Sequence, residues 1–158
     1  MHSVTPWLIS CPHCQSLHWI DTLEEIDQSL IDDDVLNDIG RVRYVNEPTQ
    51  SQYLEALKLP ELDSQKRIYI RTHYWWQGND IRRNPGNHPP LTKAERENLF
   101  GLIELLNVIG NDDDTLFTIA EAYRELGKFD LALKTLDQIK TDRVRSLVNF
   151  FRNLCKQA

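Results

Sequence analysis

The 158 residues are 41% hydrophobic, 27% charged and 9% aromatic, with 24 acidic against 18 basic side chains and a formal charge of −6. Those proportions exclude a chain disordered throughout, a collagen-like repeat and a disulfide-dense mini-domain. No stretch approaches the roughly 18 apolar residues of a membrane span, and the start of the chain lacks the basic and apolar regions of a signal peptide. A soluble, cytoplasmic protein with no membrane partner is expected.

The charge is unevenly spread. Residues 1–40 hold eight acids and no Lys or Arg, 41–96 hold ten bases and six acids, and 97–158 hold eight bases and ten acids. The acidic third is thus expected to lie against the basic middle. The same balance argues against nucleic acid as a partner of the whole chain, because duplex affinity rests largely on Lys and Arg neutralising phosphates.

In chain order, Val4–Ser10 and Leu17–Ile20 are short β-prone runs around Cys11-Pro12-His13-Cys14, which predicts a β-hairpin over residues 1–20. Asp21-Thr-Leu-Glu24 has the form of a capping box and opens a helix with Leu23, Ile26 and Leu30 on its apolar stripe. Asp32–Asp34 with Gly40 lacks the alternate ligands of a calcium loop. Val42–Val45 reads equally as strand or helix turn. Glu47-Pro48-Thr49 starts a helix with Tyr53, Leu54 and Leu57 inward and Pro60 at its end. Asp63 or Ser64 caps the next segment to about Gln77. Ile68, Tyr69, Thr72, Trp75 and Trp76 there favour helix, although Ile68, Ile70, Thr72 and Tyr74 alternate as a strand would. Gly78–Pro90 reads as a loop. It separates a helical part, 21–84, from a second, 91–158. Thr92-Lys-Ala-Glu95 is a capping box opening a helix to about Asn107, whose apolar residues cover more than half its circumference and require burial on two sides.

Leu116, Ile119, Ala120, Tyr123, Gly127, Phe129, Ala132, Leu136 and Ile139 then fall at the offsets of one helix–turn–helix unit of about 34 residues. Residues 113–146 therefore resemble a single tetratricopeptide repeat, with Val144 where a Pro is common. The resemblance implies an antiparallel helix pair that needs stacked neighbours on both faces. The Thr92 helix supplies one. A closing helix with Val144, Leu147, Val148, Phe151, Leu154 and Cys155 as its stripe supplies the other. The expected fold class is mainly α: a small N-terminal β-hairpin, then helices ending in a tetratricopeptide-like antiparallel stack.

Cys11, Cys14 and His18 carry the clearest chemistry. The strand–CPxC–strand pattern resembles half of a zinc ribbon, and two thiolates from a tight turn with one imidazole are zinc-type donors. Zinc is accordingly the candidate cofactor, with an incomplete ligand set that a homodimer can complete by sharing the site. No second CxxC is present, and Gln15 stands where a ribbon knuckle usually has Gly. Equally, the turn reads as a knuckle that has lost its metal and survives as a hairpin. Thirdly, Cys-Pro-His-Cys resembles the redox tetrapeptide of thioredoxin-fold oxidases, without the surrounding βαβ pattern. Cys155 reads as a core thiol.

Lys66–Arg83 is the other unusual stretch. Arg71, Trp75, Trp76, Asn79, Asp80, Arg82 and Arg83 are candidate interaction residues, since Arg and Trp are enriched in binding hot spots. The competing reading makes the tryptophans core and the polar residues a cluster closing the helix end. No HExxH, phosphate-binding glycine loop or Ser/His/Asp arrangement is present. A protein-interaction or adaptor role is the leading expectation. A thiol–disulfide enzyme and a zinc-containing nucleic-acid-associated protein are the alternatives.

Overall fold

The β-prone runs flanking Cys11–Ser16 pair as the sequence suggests. In the computed structural model, which describes residues 7–23, 45–60, 62–83, 88–141 and 145–157, they form β1 (Leu8–Ser10) and β2 (Leu17–Trp19). The strands are antiparallel, with Ile9 opposite His18. Asn46 joins the other edge of β1 through reciprocal backbone bonds with Ser10 of 2.9 and 3.1 Å. β1 is buried along its whole length. Asp21 sits inside a 3-10 turn, Ile20–Thr22, and its expected capping partner Glu24 lies outside the described residues. The helix expected after it, Asp32–Asp34 and Val42–Tyr44 lie outside the described residues, and so does most of the acidic third.

Helix α1 (Gln50–Ala56) opens at Thr49. The Thr49 amide donates to Gln52 Oε1 at 2.9 Å and the Gln52 amide donates to Thr49 Oγ1 at 3.3 Å. This is a reciprocal capping box that satisfies two otherwise unpaired amides. Tyr53 and Ala56 are fully buried; Leu54 and Leu57 are only half-buried.

The chain divides into two compact units, Met1–Ala56 and Leu57–Ala158. In the second, α2 (Ser64–Arg82) is capped by Asp63, whose carboxylate accepts from the Lys66 amide at 2.7 Å. The segment is helical and the strand alternation in it is incidental. It also runs five residues beyond Gln77, through a buried Gly78. A glycine costs an interior turn about 1 kcal/mol. The Arg82 side chain, bonded to Pro89 O at 3.1 Å and Glu95 at 2.7 Å, holds that last turn in place.

α3 (Lys93–Ile109) starts with the expected Thr92–Glu95 capping box. It packs against α2 and α4 (Asp113–Glu125), burying Leu99, Leu102, Ile103 and Leu106. Its stripe is narrower than its composition suggested, because Phe100, Val108 and Ile109 remain 43%, 84% and 43% exposed. Phe100 lies beneath the Lys128 ammonium, 5.7 Å from its ring centre.

α4 is the element covered on two sides. Ile119, Ala122 and Leu126 join Trp75 and the buried face of α3 in one apolar cluster. Ala120 joins Leu136 of α5 (Phe129–Leu136) and Val148 of α6 (Arg145–Gln157) in another. Phe117 and Phe151 meet edge-on there, with ring centres 4.8 Å apart. Leu147, expected on the buried stripe of α6, is 42% exposed, and Phe150 beside it is 57% exposed.

Between α4 and α5 the chain turns through Gly127 at φ +71°. The Lys128 amide donates to Tyr123 O at 2.8 Å and the Gly127 amide donates to Arg124 O at 2.9 Å. These are the two bonds of a Schellman motif. At the far end of the pair, Asp113 accepts from the Lys140 and Thr141 amides at 3.2 and 3.1 Å. The left-handed φ is the reason for glycine, since a Cβ there would meet nothing within 4 Å. Gly127→Ala is therefore expected to lower unfolding free energy by about 1 kcal/mol, and Gly127→Asn by less, in chemical denaturation.

Candidate functional site

Three surfaces carry chemistry. The first is the Cys11–His18 turn. Its closure rests on two backbone bonds of 2.9 Å, Cys11 N–H to Ser16 O and Gln15 N–H to Cys11 O. Gln15 adopts φ +61°, the left-handed conformation that glycine would reach without strain. The Gln52 side-chain amide braces it from α1, donating to Ser10 Oγ at 2.9 Å and to Gln15 O at 3.2 Å. Cys14 and His18 are exposed and Cys11 is half-buried.

Cys14 and His18 are brought together through a residue that sequence reasoning passed over. Ser16 Oγ lies 3.0 Å from Cys14 Sγ and 2.7 Å from His18 Nε2. The Ser16 hydroxyl and amide and the Cys11 thiol, all hydrogen-bonding to the sulfur, hold the Cys14 thiol below its usual pKa. A tetrahedral zinc site needs four donors at about 2.0–2.3 Å around one point. Here a hydroxyl stands between the sulfur and the imidazole. Among the described residues no three His, Cys, Asp or Glu side chains are placed to hold a metal ion. As they stand, Cys14, Ser16 and His18 form a hydrogen-bonded row.

The second surface is α2. Trp75 is buried at 3% exposure, whereas Trp76 is 49% exposed. The adjacent tryptophans thus divide between core and surface. Arg71 and Arg82 face α3. The Arg71 guanidinium donates to Asn98 O and Oδ1 at 3.4 and 3.3 Å, and Asn98 Nδ2 returns a bond to Arg71 O at 2.9 Å. Arg82 pairs with Glu95 at 2.7 Å, both largely buried. Burial alone would raise the Glu95 carboxyl, but bonds from Arg82 and from the Thr92 amide and hydroxyl outweigh it and hold the pKa down. Asp80 and Arg83 form an exposed pair at 2.6 Å. Arg71 Nε, Trp75 Nε1, Asn79 Oδ1 and Arg82 Nη1 are buried with no hydrogen-bond partner among the described residues. Half-buried Tyr69 and His73 and exposed Trp76 form a ring row, with centres 4.1 and 5.2 Å apart.

Third, a groove of about 410 Å³ opens between the C-terminal end of α3, α4 and α5. Leu116, Ile119 and Tyr123 form its floor, Val108 and Leu131 its apolar flanks, and Asn107, Asn111, Gln138 and Lys134 its polar rim. Leu131 is 39% exposed. Sequence reasoning named none of these as a site. The signal that points to them is the pair of apolar residues, Val108 and Leu131, left outside the stripes of their helices.

No protein-family model, curated protein or solved structure matches this chain. No helix among the described residues is long and apolar enough to cross a membrane.

Two measurements test the α2–α3 contact. The Glu95 pKa is depressed on folding, so its stabilisation is complete above the ordinary carboxylate value and disappears as pH falls through the lower folded value. Glu95→Gln should cost about 2 kcal/mol near neutrality and give a flatter loss of stability into acid, read from denaturation curves across a pH series. A Cβ on Gly101 would lie 2.6–2.8 Å from the Arg71 guanidinium. Gly101→Ala should therefore stabilise the chain by about 1 kcal/mol only in an Arg71→Ala background, and a double-mutant cycle reads the difference.

Proposed function

We propose that the helical unit is a protein-interaction module whose docking site is the groove between α3, α4 and α5. The observation that carries this reading is the combination of an apolar floor, two exposed apolar flanks and a rim of side-chain amides in one concavity. Such a surface buries one or two apolar side chains while amides bond a peptide backbone. Lys134 is the charged group of the rim, and it favours a partner segment with an acidic residue beside its apolar anchor. The resemblance of residues 113–146 to a tetratricopeptide repeat supports a docking role without specifying the partner.

On α2, the sequence-predicted residues contribute differently. Arg71, Trp75 and Arg82 hold α2 against α3, so they support the groove and do not contact the partner. Trp76 and the Asp80–Arg83 pair belong to a separate face.

A photo-crosslinking side chain at Gln138 should capture a discrete partner in cells, whereas one at Asn153, exposed on α6, should not. Leu131→Arg should abolish the adduct, and Lys134→Glu should weaken it by about tenfold, with the smaller effect at high salt. Equal capture from both positions, or an adduct unaffected by Leu131→Arg, would remove the groove from consideration.

A further inference from the structure

We infer that the Cys11–Cys14 turn is a thiol–disulfide exchange site, in which Cys14 attacks a small-molecule disulfide and Cys11 resolves the adduct. The site belongs to the first unit and is independent of the groove. Access sets the order of the two thiols. Cys14 is exposed and Cys11 half-buried, so an incoming disulfide meets Cys14 first. The Gln15 N–H bond to Cys11 O closes the turn, and the Cys11 thiol hydrogen-bonds the Cys14 sulfur, which places the two sulfurs side by side. Two backbone bonds and the Gln52 brace keep that spacing while the sulfurs react.

Ser16 supplies the second requirement. Its hydroxyl touches both Cys14 Sγ and His18 Nε2, at 3.0 and 2.7 Å, and gives the thiol proton a path to an imidazole. No helix begins at this turn; the Ser16 contact to Cys14 Sγ stands where thioredoxin-like sites place a helix N-terminus. The proton passes from Cys14 through Ser16 to His18. The Cys14 sulfur then bonds one sulfur of the disulfide, and the other departs as a thiolate that takes the proton back from the imidazolium. Cys11 next loses its proton to solvent and attacks Cys14 Sγ, and the second small thiol leaves. Two protein thiols are oxidised and one disulfide is reduced to two thiols, with no other oxidant.

The reduced full-length chain is incubated with oxidised glutathione, quenched in acid and read by intact mass and peptide mapping. The wild type should form the Cys11–Cys14 disulfide and retain no glutathione, while Cys11→Ser should hold one glutathione on Cys14. Cys155, buried on α6 with its pKa raised by that burial, should stay unmodified. Ser16→Ala should slow the reaction by about tenfold or more, and Ser16→Thr should restore most of the rate, which a purely structural defect would not predict. Equal reactivity of Cys11 and Cys14 overturns the assignment, as does an unchanged rate in Ser16→Ala. So does zinc at one per chain, by elemental analysis, that disappears in Cys11→Ser.

Discussion

One carboxylate oxygen organises the start of the helical stack. Glu95 Oε2 accepts the Thr92 amide and the Arg82 guanidinium, each at 2.7 Å. The first bond opens α3 and the second fastens it to the last turn of α2. The Arg82 backbone carbonyl meets His88 Nδ1 at 2.8 Å, so the same residue also holds His88. With the Glu95 side chain 8% exposed, neither charge can lose its partner cheaply. α3 then presents Leu99, Leu102, Ile103 and Leu106 at the angle α4 requires, and α4 forms the wall of the groove. The groove thus rests on a buried ion pair that does not line it.

This arrangement also changes the meaning of the charge distribution. Residues 41–96 carry a formal +4, but Arg71 and Arg82 spend their charge on Asn98 and Glu95, and Arg83 faces Asp80. Two guanidinium groups of the basic middle, Arg71 and Arg82, therefore act as internal fasteners between α2 and α3, while Arg83 and Lys93 stay on the surface at 72% and 92% exposure. A sequence total counts such guanidinium groups as free, because nothing local in the sequence records where they point.

Capping chemistry was the most legible part of the chain. Asp63, Thr92 and Gly127 each act at the position their residue type suggests, since a cap is decided within four residues. The Thr49–Gln52 box was equally local and was overlooked beside Glu47-Pro48. The continuation of α2 through Gly78 was not legible, because the turn beyond it is held by Glu95 and Pro89, which follow later in the chain. Trp75 and Trp76 were beyond local reading for a related reason. Aromatic residues occur all around α2, and only the positions of α3 and α4 decide which ring is enclosed. The knuckle residues were visible, whereas the role of Ser16 was not. A serine between Cys14 and His18 has no signature until β2 turns its hydroxyl toward both.

The α4–α5 pair is closed at both ends by its own residues, through the Gly127 motif at one and Asp113 on the Lys140 and Thr141 amides at the other. Neither closure draws on α3 or α6. A segment with self-contained ends can be copied in tandem without redesigning its junctions, each copy covering the apolar face that its predecessor leaves open. Seen in that way, the pair is a unit of growth: lengthening the stack by duplication would extend the concave face, with the existing boundaries unchanged.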